Sequence, residues 1–363
     1  VYRGRDMQGV DRGRIKKLLV LEQLVKPVNF RDNQQGLTMD GSYTIKRILG
    51  TVPVEDDGSA YFDAPALRSL YFVSLDAEGT AVMRMQSYCT LMPGETLGCV
   101  GCHEKRVESP RSAAVLQATA RPASRIEPFE GFPDVLDFTR DIQPILDRHC
   151  VSCHGYERRE GGVILTGDLG PEWSHSYFTL FARLLVADGR NGLGNQPPRS
   201  IGSSASRLLR LAEGGHYDAK VSQREWRTLW LWIETGAPYA GTYAALRNEA
   251  QQAAASGAPG RVFAEGLEVA RQRCYTCHKP PSGREDPMEL PFYPSAERMN
   301  RAKASRPTAV YERLVQENDP AARLSPHILL NFTRPEHSPL LLGPLAKTAG
   351  GFGSCGEVFR DTQ

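Results

Sequence analysis

The sequence has no run of about 18 apolar residues, the length that a helix needs to cross a bilayer, so we expect no membrane span. It also lacks an excess of either charge, since 44 Lys and Arg face 42 Asp and Glu for a net charge of +2. This balance excludes the basic surface that is typical of nucleic-acid-binding proteins. Neither an initiator Met nor a signal peptide stands at the start, VYRGRDMQGV, and we interpret the chain as a mature or trimmed piece of a longer precursor.

Cysteine and histidine are also scarce, with eight of each in 363 residues. Six of the eight cysteines nevertheless fall into three copies of one motif, Cys-X-X-Cys-His. Random placement of so few residues would give far fewer than one copy. The copies are Cys99, Cys102 and His103; Cys150, Cys153 and His154; and Cys274, Cys277 and His278.

Three chemistries use paired cysteines, and the full motif distinguishes between them. A structural zinc site needs four ligands and a redox dithiol needs two thiols, but neither requires a histidine directly after the second cysteine. Covalent haem attachment requires every part, because the two thiols bond the haem vinyl groups and the histidine reaches the iron. The sequence therefore predicts three covalently bound haem c groups, with His103, His154 and His278 as proximal ligands. Because haem c is attached outside the bacterial cytoplasmic membrane, we expect a periplasmic or extracellular protein.

Five further histidines are candidates for the distal side of the haem irons. His216 lies just before a predicted closing helix, where a class I cytochrome c returns its distal ligand, so we predict it for the second haem. His327 and His337 compete for the third haem, and we favour His327. The first haem has His175 or His149 as candidates, or else an open distal position. Methionine is the other usual distal ligand, but we rank the methionines below the histidines.

Residues 1–107 predict a β-rich, sandwich-like domain that ends in the first haem motif. Short runs rich in β-branched and aromatic residues are separated by turn signals such as Asp57-Gly58. The predicted strands cover residues 43–50, 59–65, 69–76 and 80–88. Residues 108–133 show no clear period, and we interpret them as a linker.

From residue 134 the pattern becomes helical. The clearest helix follows Ser222, which forms a capping box with Glu225, and it is expected to stop at Gly236. A helix, a haem motif, a long loop and a closing helix over residues 134–243 predict a class I cytochrome c-like domain. A linker and a third domain of the same design follow, at residues 244–260 and 261–363. The predicted fold class is therefore multidomain β + α, with a β-sandwich-like domain followed by two mainly α-helical cytochrome c-like domains.

Two cysteines lie outside the motifs, Cys89 and Cys355. In an oxidising compartment they could form a disulfide between the C-terminal end and the β domain. Free buried thiols are the equal alternative, because spacing alone does not give connectivity.

One family shares several long segments with this chain. The segments are KKLLVLEQLVKPVNF, ILGTVPVEDDGSAYFDAPALRSLYFVSLD, RMQSYCTLMPGETLGCVGCHE and, later, NFTRPEHSPLLLGPLAKTAGG. On these segments the chain resembles the hydrazine synthase α-subunit-like family of multihaem c-type cytochromes, of the planctomycete type. The resemblance implies bound haem c and a β-propeller, as a preceding domain or a partner subunit.

The chain departs from that family at the first motif. The resemblance implies a tyrosine axial ligand shortly after the motif of the active-site haem, whereas Glu104, Lys105, Arg106 and Val107 follow His103 here. It also implies two haems, whereas this chain has three motifs. The five further histidines are also enough to give each haem iron a distal ligand. Together with these departures, they favour a trihaem electron carrier that is not an enzyme. Its expected partners are redox proteins and further copies of the chain.

The alternative is an enzyme, a haem oxidoreductase of nitrogen compounds. In this alternative the first haem has an open distal position for substrate, and the other two haems transfer electrons to or from it.

Overall fold

The chain divides into two compact units, and each is described by itself. The computed structural model describes residues 7, 9–27, 38, 44–85, 87–99, 115–170, 173–187, 197–217, 219–244, 272, 331–353 and 355. Unit 1 comprises Val1–Ile142 and Leu185–Tyr243, and unit 2 comprises Gln143–Leu184 and Ala244–Gln363. Within the described ranges, no helix is long and apolar enough to cross a membrane. The domain limits expected from the sequence stay a prediction.

Unit 1 contains a four-stranded antiparallel sheet in the order β2-β1-β3-β4. The strands are β1 (Lys17–Gln23), β2 (Lys46–Pro53), β3 (Ser69–Leu75) and β4 (Ala81–Arg84). Strands β2, β3 and β4 correspond to predicted segments. The predicted strand at 59–65 is wrong, since only Phe62 pairs there, in an isolated bridge to Ser124.

Strand β1 was not among the predicted strands, although it is central to the sheet. Its residues Leu18 to Leu21 are all buried, and Leu19 lies opposite both Thr51 and Val73. A strand covered on both faces carries a continuous apolar run, so it lacks the alternation by which strands are recognised.

The described strands form one sheet, so the second sheet that a sandwich requires is not among them. An apolar cluster covers one face, and Phe62 packs edge-on against Phe72 in it with ring centroids 5.8 Å apart. Glu127 lies across β2, where its backbone exchanges two 2.9 Å hydrogen bonds with Thr51. Gly50 permits this approach, because a Cβ there would lie 2.1 Å from the Glu127 carbonyl oxygen and its φ is +139°.

Six α-helices lie in the described residues. They are α1 (Gln143–His149), α2 (Val151–His154), α3 (His175–Ala182), α4 (Arg207–Glu213), α5 (Gln223–Glu234) and α6 (Pro339–Leu342). The predicted capping box of α5 is confirmed, since Ser222 N donates to Glu225 Oε2 at 2.9 Å and Ser222 Oγ accepts from Glu225 N at 3.3 Å. Most of the third predicted domain lies outside the described residues.

Helix α5 belongs to unit 1, where its last residue, Glu234, lies beside Arg84 at the end of β4. Glu234 Oε1 also accepts from the Ser203 backbone at 2.9 Å, and the Ser203 hydroxyl accepts from Ala81 N at 2.8 Å. These bonds join β4 to α5 although a long stretch of sequence separates them.

Unit 2 has its own buried core around α1 and α3. Tyr177 and Phe181 on α3 pack with ring centroids 4.9 Å apart, and both are almost fully buried. Gln143, at the start of α1, donates to the Leu165 carbonyl at 3.0 Å and accepts from the Ser176 hydroxyl at 2.5 Å. These contacts hold α1, and the haem motif that follows it, against the rest of the unit.

Candidate haem attachment site

The second Cys-X-X-Cys-His motif continues directly from α1 in unit 2. Cys150 follows the helix with its backbone N–H bonded to Leu146 O at 2.8 Å, and the motif ends α2 at His154. The amides of Cys153 and His154 both donate to the Cys150 carbonyl, at 3.1 and 2.9 Å. This helical turn brings the two half-buried cysteines and the histidine together, as covalent attachment to one haem requires.

The ring of His154 is held in one tautomer. Its Nδ1 lies 3.1 Å from the backbone carbonyl oxygen of Glu160. Because a carbonyl only accepts, Nδ1 carries the proton and the lone pair of the neutral ring lies on Nε2. A backbone carbonyl bound to Nδ1 is the usual outer partner of a metal-ligating histidine, so His154 fits the role of proximal ligand.

The thiol of Cys150 is not activated as a thiolate. Burial, with the nearby Cys153 and Asp147, raises its pKa to about 11. A redox dithiol depends on a lowered thiol pKa, so this environment does not suit that alternative.

A buried hydrogen-bond network lies immediately after the motif, centred on Tyr156. The Tyr156 hydroxyl and Nδ1 of His175 are joined by a hydrogen bond of 2.5 Å. Asn331 donates from Nδ2 to the same hydroxyl at 2.8 Å and to Asp168 Oδ2 at 2.7 Å. Burial and the negative charge of Asp168 raise the pKa of Tyr156 well above its ordinary value, so the phenol stays protonated.

Arg334 completes this network on the other side of Asp168. Its guanidinium donates to Asp168 Oδ2 from Nη2 at 2.7 Å and from Nε at 3.1 Å. Burial alone would raise the pKa of Asp168, but the bonds from Arg334 and Asn331 outweigh it and lower the pKa. The segment that begins at Asn331 is thereby fixed to the segment that carries the haem motif.

The histidines predicted as distal ligands lie in different environments. His175 is buried in the Tyr156 network, and His149 is half-buried at the end of α1. His337 lies edge-on to Tyr156 with ring centroids 5.1 Å apart, and its Nδ1 is buried without a hydrogen-bond partner in the described structure. His216 belongs to unit 1, with its ring against Tyr217 at 4.7 Å. Their assignments as ligands stay predictions.

The first and third motifs fall mostly outside the described residues. Of the first, only the exposed Cys99 is described, whereas Cys102 and His103 lie outside. The third motif, with Cys274, Cys277 and His278, lies outside entirely, as does His327.

Cys89 and Cys355 are free thiols in the structure. Cys89 is half-buried beside β3, and burial, with the nearby Cys99, raises its pKa. Over the described ranges no group of three or more His, Cys, Asp or Glu side chains could hold a metal ion by itself.

A family comparison matches one part of the chain. Residues 13–104 match the family model of the hydrazine synthase alpha subunit middle domain, which confirms the resemblance predicted from the sequence. Among solved structures the chain is similar to Kuenenia stuttgartiensis hydrazine synthase, with 21% identity and a TM-score of 0.47 over 64% of this chain and 40% of that chain. This chain thus spans less than half of that relative. No curated protein matches it.

The match corrects one expectation. We expected an electron carrier that is not an enzyme, and this is wrong, because the family that matches residues 13–104 is named for a synthase. The prediction rests on the missing tyrosine after His103, on the third motif and on the spare histidines, and none of these outweighs the family match of residues 13–104.

Several residues of the site were missed from the sequence. Tyr156, Asp168, Asn331 and Arg334 are single polar residues that no motif connects. The one available indication was the position of Tyr156 and Arg159, which follow His154 closely in the chain.

Proposed function

We propose that this chain is a haem-dependent oxidoreductase of small nitrogen compounds, related to hydrazine synthase. One observation carries the proposal: the match to the synthase middle domain, residues 13–104, runs through Cys99, Cys102 and His103. The matched region therefore includes a complete haem attachment motif, and the related enzyme domain and the first haem coincide in the chain.

The geometry of the second motif supports covalent haem as the cofactor. Cys150 and Cys153 would each add their S–H across a haem vinyl group, which forms a thioether and releases nothing. His154, with Nδ1 bonded to Glu160, would offer Nε2 to the iron. By the same motif chemistry we propose three haem c groups in all. Bound haem supplies one-electron transfer and, where its distal side is open, a position for a small ligand on iron.

The chain's own residues divide between two roles in this proposal. Cys99, Cys102 and His103 hold the haem at which substrate would bind. The buried hydrogen bonds of the Tyr156 network fix the second attachment segment to the segment that begins at Asn331. Such rigidity suits electron transfer, because a fixed environment needs little reorganisation.

The finer architecture and setting belong to the same proposal. We propose that residues 134–243 and 261–363 are cytochrome c-like domains. Their haems would exchange electrons with the first haem. Because haem c is attached outside the cytoplasmic membrane, the protein would work in the periplasm or beyond. Other subunits are the proposed partners, since the matched family is described as an alpha subunit.

The experiment requires the protein with its haems attached, from a host with a cytochrome c maturation system. Carbon monoxide is titrated into the reduced protein, and turnover is assayed with hydrazine, hydroxylamine and nitric oxide together with an artificial redox partner. We expect one carbon monoxide per chain and turnover of at least one compound. Both should be lost in C99S/C102S.

The matched variant C150S/C153S loses a different haem and should keep the carbon monoxide site. Absence of carbon monoxide binding, combined with no turnover of any of the three compounds, would overturn the proposal.

A further inference from the structure

A half-buried guanidinium lies in the turn that follows the second haem motif. Arg159 adopts the left-handed conformation, with φ 46° and ψ 45°, and its amide donates to the Gly155 carbonyl at 2.9 Å. This conformation is unfavourable for a residue other than glycine, so the turn holds Arg159 against a local preference.

The described residues provide Arg159 with no carboxylate. The neighbouring Arg158 is exposed and pairs with Glu160 at 3.3 Å, whereas the partner of the Arg159 guanidinium among the described residues is the ring of Phe352, 3.4 Å from its guanidinium carbon. Burial lowers the pKa of Arg159, which means that the charged form is disfavoured where it lies. Because arginine does not lose its proton in proteins, a cation in this position is best stabilised by an anion.

The same turn also fixes the proximal histidine. Glu160, directly after Arg159, supplies the carbonyl that accepts from His154 Nδ1. A haem attached at Cys150 and Cys153, with His154 at the iron, would carry two propionate carboxylates, which are anions that the haem itself supplies. The planar guanidinium fork matches a carboxylate with two parallel N–H donors.

We propose that Arg159 binds a propionate of the haem attached to Cys150 and Cys153, and that Phe352 positions the guanidinium for it. This inference rests on haem attachment at the second motif, as proposed above. The centroid of the Phe352 ring lies 3.4 Å from the guanidinium carbon of Arg159. The backbone of Phe352 is itself fixed, because its amide donates to the Leu342 carbonyl at 2.7 Å.

The assignment has an electrochemical consequence. Ferric haem carries one more positive charge than ferrous haem, so a nearby cation favours the reduced form and raises the reduction potential. Loss of the Arg159 charge should therefore lower the potential of one haem only.

The test compares R159Q, R159K and the control R158Q in the chain with all its haems. A redox titration followed by optical and EPR spectroscopy gives a midpoint potential for each haem. R159Q should shift one midpoint downward, R159K should retain most of the wild-type value, and R158Q should shift none. In a C150S/C153S background, R159Q should leave every remaining midpoint unchanged.

If Arg159 only stabilises the fold, the variants give a different result. If R159Q and F352A only lower the unfolding temperature and every midpoint stays in place, Arg159 does not bind a propionate. A shift that persists in the C150S/C153S background also overturns the assignment, because it belongs to another haem. If C150S/C153S loses no haem by mass spectrometry, attachment at this motif is wrong and the proposed function is affected as well.

Discussion

Arg84 and Glu234 form an ion pair that is almost completely buried, with 1% and 0% of their side chains exposed. The guanidinium contacts the carboxylate and also donates to the Glu234 carbonyl at 2.9 Å and the Ile233 carbonyl at 3.2 Å. Arg84 thus binds the C-terminal end of α5, where the carbonyls carry partial negative charge. The pair makes the sheet and α5 parts of one unit.

Breaking this pair should strongly destabilise unit 1. E234Q leaves the Arg84 charge buried without its carboxylate, at a cost of roughly 3–5 kcal/mol in the free energy of unfolding. The exposed pair of Lys16 and Asp56, 2.7 Å apart, offers a matched control, and D56N should cost less than about 1 kcal/mol. Denaturant unfolding measures both. Equal losses in the two variants would show that burial of the pair does not matter.

The Asn331 network should contribute in the same way to unit 2. N331A removes the donors to Tyr156 and Asp168, and each of the two lost hydrogen bonds should cost about 0.5–1.5 kcal/mol, because Arg334 still bonds Asp168 and His175 still bonds Tyr156. The exposed neighbour Phe332 is the control, since a surface change such as F332A stays within about 0.5 kcal/mol. Thermal unfolding compares the two. An N331A protein as stable as F332A would show that the Asn331 network does not stabilise unit 2.

Asp76 should make the stability of the protein to unfolding depend on pH in the acid range. Burial would raise its pKa, but hydrogen bonds from Thr80 and Arg199 outweigh burial and lower it. The unfolded chain then binds the proton at higher pH, so this stability is present above the unfolded pKa of about 4 and is lost as pH falls through the folded value. D76N should therefore be less stable at neutral pH and lose less on acidification.

The measurement for Asp76 is the unfolding temperature between neutral pH and acid, with the exposed Asp11 as control. D11N should follow the wild type. A D76N curve parallel to the wild-type curve would contradict the assignment.

Three haems should be attached to each chain. Mass spectrometry of the denatured protein should show three haem additions, because each motif is complete with two thiols and a histidine. Replacing both cysteines of any one motif by serine should remove one addition. Two or fewer additions in the wild type would contradict the count.

Features that depend on nearby residues were predictable, and features that depend on distant residues were not. The capping box of α5 was readable because Ser222 and Glu225 are three positions apart, and the haem motifs are equally local. The Arg84–Glu234 pair and the Asn331–Tyr156 bond join residues 150 and 175 positions apart, and no local period encodes them. Strand β1 was not predicted for another reason. Because it is buried on both faces, its sequence lacks the alternation of apolar and polar residues.

Unit 1 is discontinuous in sequence, and this sets the order in which the chain can fold as it is made. Glu234 follows Arg84 by 150 positions, which at synthesis rates of about 5–20 residues per second is a delay of roughly 8–30 s. During that delay Arg84 has no carboxylate from α5, so the sheet cannot reach its final buried state. Cys150 and Cys153 emerge within the same interval. Their thiols are therefore present in the nascent chain before unit 1 can be completed.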